Sequence, residues 1–125
     1  MRLLLDSHIL IWLMEEDARL TAQARAMIDG ATAVFASTAS IWELAIKVSL
    51  GKLHLDIERL AGLLDAAGIR ELQINRQHVI AVARLPLLHR DPFDRLLVAQ
   101  AICEPIRLLT ADPQLAAYSE LVVTI

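Results

Sequence analysis

The sequence predicts an α/β fold built on a parallel central sheet. Three observations point there. Short apolar runs alternate with longer segments of helical periodicity along the whole chain. Helix-capping residues stand where those runs give way to helices. Acids stand at the same junctions: Asp6 follows Leu3-Leu4-Leu5, and Asp112 follows Leu108-Leu109-Thr110-Ala111. In an open parallel sheet the strand-to-helix ends gather at one edge, and sites form there.

Taken in order, Arg2 to Leu5 reads as a short buried strand. His8 to Met14 reads as a helix, with Ser7 as its cap. Thr21 caps a second helix that runs to Asp29 and ends at Gly30. Ala33 to Ala36 is a compact strand. Ser37 or Thr38 caps the helix that follows, to about Leu50, and Gly51 stops it. Asp56 caps a helix through Ala67, with Gly68 at its end. Ile69 to Ile74 alternates as a strand does. Arg76 to Leu85 is helical and ends at Pro86. Pro92 opens a helix reaching Glu104. Arg107 to Leu109 and Leu121 to Thr124 are the last strands, with a short helix from Pro113 between them.

Composition narrows the function. The 125 residues suit one domain over 1–125, with no linker, repeat or low-complexity segment. The chain is 56% hydrophobic, with mean hydropathy +0.49. That is much apolar surface for a small core, so partners are expected to cover some of it. Asp6 interrupts the first apolar stretch, no signal peptide is legible, and no run spans a bilayer. A cytoplasmic location is expected. One cysteine, Cys103, excludes an internal disulfide and a cysteine-rich zinc site, and it reads as a small core residue. A net charge of −3 argues against binding nucleic acid by bulk electrostatics. It leaves room for an enzyme with a local basic rim.

Four acids carry the functional signal: Asp6, Glu43, Asp94 and Asp112. If the fold gathers them, they cannot all stay ionised alone. Two carboxylates about 4 Å apart repel by roughly 4 kcal/mol at an effective dielectric near 20. Either some protonate or a hard divalent cation binds. Each acid also has an ordinary explanation. Asp91-Pro92 and Asp112-Pro113 are cap-then-proline helix starts, and Asp94 suits the helix dipole. Glu43 and Lys47 form an i,i+4 pair. Asp6 is hardest to explain away, since an acid directly after a buried strand gains little from packing. The four histidines lack metal-ligand spacing and read as surface or packing residues, though His89 and Arg90 adjoin the Asp91–Asp94 segment. Trp12 and Trp42 read as core or interface. No G-x-G-x-x-G, G-x-x-x-x-G-K or G-x-S-x-G element occurs.

The segments Leu4-Leu5-Asp6-Ser7-His8, Trp42-Glu43, Asp91-Pro92-Phe93-Asp94-Arg95-Leu96-Leu97 and Leu109-Thr110-Ala111-Asp112 resemble a PIN-domain protein, and more narrowly a VapC-type toxin. The resemblance covers the chain in order, and Asp-Pro-Phe-Asp-Arg is its most specific part. It implies a three-layer α/β/α fold and an Mg²⁺- or Mn²⁺-dependent endoribonuclease belonging to a toxin–antitoxin pair. By motif position the metal-binding and catalytic acids fall on Asp6, Glu43, Asp94 and Asp112. Asp91 is expected to be auxiliary, and Ser7 and Thr110 match small hydroxyl positions beside the metal. Glu43 or Asp112 is expected to orient or deprotonate the attacking water. Lys47, Lys52, Arg90 and Arg95 are candidates for contacts to the RNA backbone. The expected partners are RNA, a cognate antitoxin and a second copy of the chain, with no membrane. Trp12 and Trp42 lie on apolar helices suited to such contacts.

Two rival classes share the outline. A receiver-like phosphoacceptor domain would want a late lysine, and no lysine follows Lys52. A catalytically silent interaction module of the same fold has no need of all four acids.

Overall fold

Three leucines set the layering. In the computed structural model, which describes residues Met1–Ile125, strand β1 (Arg2–Leu5) carries Leu3, Leu4 and Leu5, each 0% exposed. Successive strand side chains point to opposite faces. Leu3 and Leu5 therefore enter one core while Leu4 enters the other. Strand β4 (Arg107–Thr110) repeats the device, with Leu109 in the first core and Leu108 in the second. Burial on both faces is why these strands read as unbroken apolar runs. Each buried leucine contributes about 1.5–3 kcal/mol.

The remaining strands are β2 (Ala33–Ser37), β3 (Arg70–Leu72) and β5 (Val122–Thr124). All pair in parallel, in the order β3-β2-β1-β4-β5. The chain builds outward from β1 to β3, then returns to pair β4 on the other side of β1. The reversal leaves a crevice at the carboxyl ends of β1 and β4. Helices α1 (Ser7–Met14), α2 (Ala22–Asp29), α3 (Thr38–Ser49) and α4 (Ile57–Ala66) supply Ile9, Ala24, Leu44 and Leu60 to the first core. Helix α6 (Pro92–Cys103) and the 3-10 helix Pro113–Tyr118 supply Leu97, Val98 and Leu115 to the second. Helix α5 (Arg76–Val82) packs along α6. The result is the expected three-layer architecture. No helix is long and apolar enough to cross a membrane.

Several local expectations need correction. Asp6, not Ser7, caps α1: its backbone is extended and its side chain accepts from the Ile9 N–H. Ser7 lies in the first turn, and its hydroxyl is used elsewhere. Helix α5 ends at Val82 rather than Leu85, because residues 83 to 85 tighten into i→i+3 bonds before Pro86. The short helix expected from Pro113 is present, as a 3-10 helix. Strand β3 covers only Arg70–Leu72, since it is an edge strand paired with β2 alone. Cys103 is half-buried at the end of α6 rather than in the core. Trp42 is an exposed side chain, so of core and interface only the second remains open to it. Thr21, Ser37 and Asp56 cap as the sequence suggests. Gly51 and Gly68 close α3 and α4 at φ 72 and 75, the left-handed conformation that glycine adopts without steric cost.

Candidate active site

Strand β1 ends where its neighbour β4 ends, and this joins two acids distant in sequence. The Asp6 N–H donates to the Leu109 carbonyl at 3.1 Å, so Asp6 leaves the sheet beside Thr110. Asp6 is buried, with only 5% of the residue exposed, and both its carboxylate oxygens have partners. One accepts from Ile9 N–H and the other from the Thr110 hydroxyl. The same Thr110 oxygen accepts from the Asp112 N–H at 3.1 Å. Thr110 thus ties the end of β1 to the turn after β4.

Glu43 reaches the same place from α3. It is buried, accepts from the Ser7 hydroxyl at 2.7 Å, and has Lys47 Nζ at 3.7 Å. The i,i+4 pair is real, but it lies at the rim of the site rather than on a solvated stripe. Asp91 caps α6, accepting from the N–H groups of Phe93 and Asp94. That cap places Asp94 in the first turn, facing Asp112. Asp6, Glu43, Asp91, Asp94 and Asp112 line one cavity of ≈310 Å³, together with Ser7, His8, Trp12, Lys47 and Ala111.

His89 is the residue the sequence reading undervalued. Its Nε2 lies 3.1 Å from both Asp94 Oδ2 and Asp112 Oδ2. Its Nδ1 accepts from the Arg90 N–H at 2.9 Å. In the neutral ring the proton is therefore on Nε2, aimed between two carboxylates. One donor or ligand atom from each of His89, Asp94 and Asp112 falls within 4.8 Å of the others. Asp6 and Glu43 face the same cavity without joining that tight trio. The available signal was adjacency: His89 stands two residues before Asp91.

The electrostatics follow from burial first and crowding second. Asp94 is pushed up to about 7, chiefly by burial, then by Asp91, Glu43 and Asp6, with His89 opposing. Burial also raises Asp6, although its bonds from Thr110 and Ile9 resist. The donor set is almost wholly oxygen and carries more negative charge than its surroundings offset. Both features fit a hard divalent cation such as Mg²⁺ or Mn²⁺.

The basic candidates divide. Lys47 lines the acid cavity, whereas Lys52 lines an adjoining one. Arg90 is exposed beside the cavity without lining it. Arg95 is turned to another task. Its guanidinium donates to the Val82 and Pro86 carbonyls and to the Tyr118 hydroxyl, holding the segment that leads to His89.

The family model of the PIN domain matches residues 3–121. The chain belongs to the PIN domain family. Its relatives include Ribonuclease VapC22 of Mycobacterium tuberculosis (strain ATCC 25618 / H37Rv), 32% identical over 117 residues, which span 92% of this chain and 90% of that protein. That similarity places this PIN domain with the VapC-type members. Among solved structures, VapBC2 from Rickettsia felis, bound to a DNA fragment from its promoter, superposes with a TM-score of 0.74 at 16% identity, covering 99% of this chain and 98% of that one. A toxin-antitoxin complex from Klebsiella pneumoniae gives 0.69 at 18% identity, covering 97% and 95%. At such identities the likeness is one of fold, and it agrees with the parallel five-stranded sheet described above.

Proposed function

We propose that this PIN domain is a metal-dependent endoribonuclease, the toxin of a toxin–antitoxin pair, acting at a carboxylate site that takes Mg²⁺ or Mn²⁺. The observation that carries the reading is the gathering of five acids around one cavity, where burial first and then the neighbouring carboxylates push Asp94 up to about 7. The name of the relative from Mycobacterium tuberculosis supports RNA as the substrate. The complexes among the structural neighbours support an antitoxin partner.

Asp6, Glu43, Asp94 and Asp112 would hold the cation. A bound divalent cation supplies Lewis acidity and neutralises developing charge on the phosphodiester. The chain's own residues do the rest. Thr110 orients Asp6, Ser7 orients Glu43, and the Nε2–H of His89 orients Asp94 and Asp112. Such partners orient the ligands and tune their affinity for the ion. Asp112 is the acid open to water: its side chain is 34% exposed, against 20% for Asp94 and 10% for Glu43. It is therefore placed to accept the proton of an attacking water. Asp91 acts through Asp94, by capping the helix that presents it. Lys47 stands at the cavity wall, positioned to meet a phosphate oxygen.

Exposed apolar side chains, among them Trp42, Val79 and Leu87, support an assembly with a second copy and an antitoxin segment. The test is RNA cleavage by the purified chain in Mg²⁺ and in EDTA, with melting temperature measured in both. Mg²⁺ should raise the melting temperature and EDTA should abolish cleavage. Cleavage at full rate in excess chelator would refute the metal site. Co-purification with the product of an adjacent gene, and suppression of cleavage by it, tests the toxin assignment.

A further inference from the structure

A second cavity, of ≈290 Å³, opens beside the acid cavity and shares Ser7, His8, Trp12 and Lys47 with it. Its remaining walls include Glu15, Arg19 and Lys52. The chain has only two lysines, Lys47 and Lys52, and both line this one cleft. Two reversed helix ends build it. Where α3 closes, Gly51 takes a left-handed conformation and the Lys52 N–H donates back to the Lys47 carbonyl at 2.9 Å. That 6→1 bond sets the two lysines together. Where α1 closes, Glu16 adopts φ 53, unusual for a residue other than glycine. The Asp17 N–H then donates to the Trp12 carbonyl at 2.9 Å, and the chain folds back over the helix. Arg19 consequently lies over the Trp12 ring, 5.1 Å from its centroid, with its guanidinium held by Asp17.

The charges in the cleft are not equivalent. Arg19 is met by Asp17, and Lys47 has Glu43 at 3.7 Å. Lys52 is exposed and forms no ion pair. In a chain of net charge −3 whose neighbouring cavity is acidic, a phosphate finds its cations here. The Trp12–Arg19 stack adds a flat surface of the kind on which unpaired bases lie.

We propose that this cleft binds the single-stranded RNA segment flanking the scissile phosphodiester, with Lys52 and Lys47 on phosphates and an unpaired base against the Trp12–Arg19 stack. The proposal rests on the nuclease reading and gives it a direction: the strand runs from the acid cavity toward the ends of α1 and α3. It also explains how an acidic protein holds a polyanion. The contact is a short local one, and a duplex cannot present an unstacked base to it.

The probe is a short, single-stranded, random-sequence RNA, with its binding followed by fluorescence anisotropy across a salt series. Each phosphate contact on a single strand contributes about 0.7 to the slope of log affinity against log salt. Lys52→Gln should weaken binding several-fold at low salt and lower that slope by about 0.7. Arg107→Gln, the same charge change at the far end of β4, should leave the slope unchanged. In a Trp42→Phe protein, where fluorescence reports Trp12 alone, the single strand should quench emission and a blunt RNA duplex should not. Unchanged slope and affinity in Lys52→Gln, with Mg²⁺-dependent cleavage intact in the wild type, would overturn the cleft and spare the nuclease. Absence of Trp12 quenching on saturation with RNA would overturn the base stack. A wild-type chain that neither binds nor cleaves RNA in Mg²⁺ would remove the nuclease reading and this inference with it.

Discussion

Two histidines of this chain make nearly the same local contacts in two different surroundings. His78 and His89 each accept a backbone N–H at Nδ1, from Asn75 at 3.1 Å and Arg90 at 2.9 Å. Each then presents Nε2 to carboxylate. For His78 the partner is Glu104 alone, at 3.0 Å, and the ring is wholly buried between α5 and α6. It completes a capping box with Asn75 and joins two helices. For His89 the partners are two acids, and three more line the same cavity. Hydrogen bonding alone does not separate the histidine that joins two helices from the one in the candidate site. The excess of acid around His89 does, because a single carboxylate is matched by one ring N–H while a crowd of carboxylates leaves negative charge that a proton or a cation must offset.

The comparison is most sharply tested by removing acids from the crowd. Asp6→Asn and Asp94→Asn should each abolish Mg²⁺-dependent cleavage, exceeding the roughly 10–100-fold loss typical of an outer-shell partner. Circular dichroism should report a retained fold. Asp91→Asn should be milder, since asparagine still caps a helix. Equal and complete loss in Asp91→Asn would make it a ligand instead.

At the two histidines the effects should diverge in kind. His89→Ala should weaken Mn²⁺ affinity, read by calorimetry, by about 10–100-fold with little change in melting temperature. His89→Gln, which restores a donor near the Nε2 position, should recover part of it. His78→Ala should do the opposite. It opens a cavity and strands the Asn75 N–H, costing about 2–4 kcal/mol in denaturant unfolding while metal affinity holds. Coincident losses of stability and affinity at both sites would mean that the two histidines do the same work.

The smallest expected effect is on the pH dependence of stability without metal. Asp94 titrates near 3.8 when unperturbed and at about 7 in the folded chain. Between those values the folded state holds the extra proton, so stability should fall as pH rises from about 4 to about 7. Asp6, raised for the same reason, adds in the same direction. In EDTA the melting temperature should decline over that window, and Asp94→Asn should flatten the decline. A rise instead would mean that the acids are already compensated.

Much of the fold was legible because each local rule agreed with its neighbours. Asp56 and Thr21 cap helices, Gly51 and Gly68 end them, and Leu3-Leu4-Leu5 reads as a buried strand. The site was legible in part for the same reason: acids at strand-to-helix junctions share an edge in any parallel sheet. Besides the shifted element ends, two side chains had two uses each, and the fold chose between them. Ser7 had the chemistry of a cap, but Glu43 claims its hydroxyl and Asp6 caps instead. Arg95 had the charge to meet RNA, and in the fold its guanidinium donates to oxygens of Val82, Pro86 and Tyr118.

By itself, then, the sequence determined the elements, their parallel sense and the identity of the acids, because periodicity, caps and turn residues act over a few neighbours. The tertiary structure alone decided the strand order β3-β2-β1-β4-β5, the entry of His89 between Asp94 and Asp112, and the meeting of both lysines with Trp12 in one cleft. Those depend on which chain segments pack together across the sheet. The deciding contacts, His89 with Asp112 and Trp12 with Lys47, join residues tens of positions apart, and no local pattern records them.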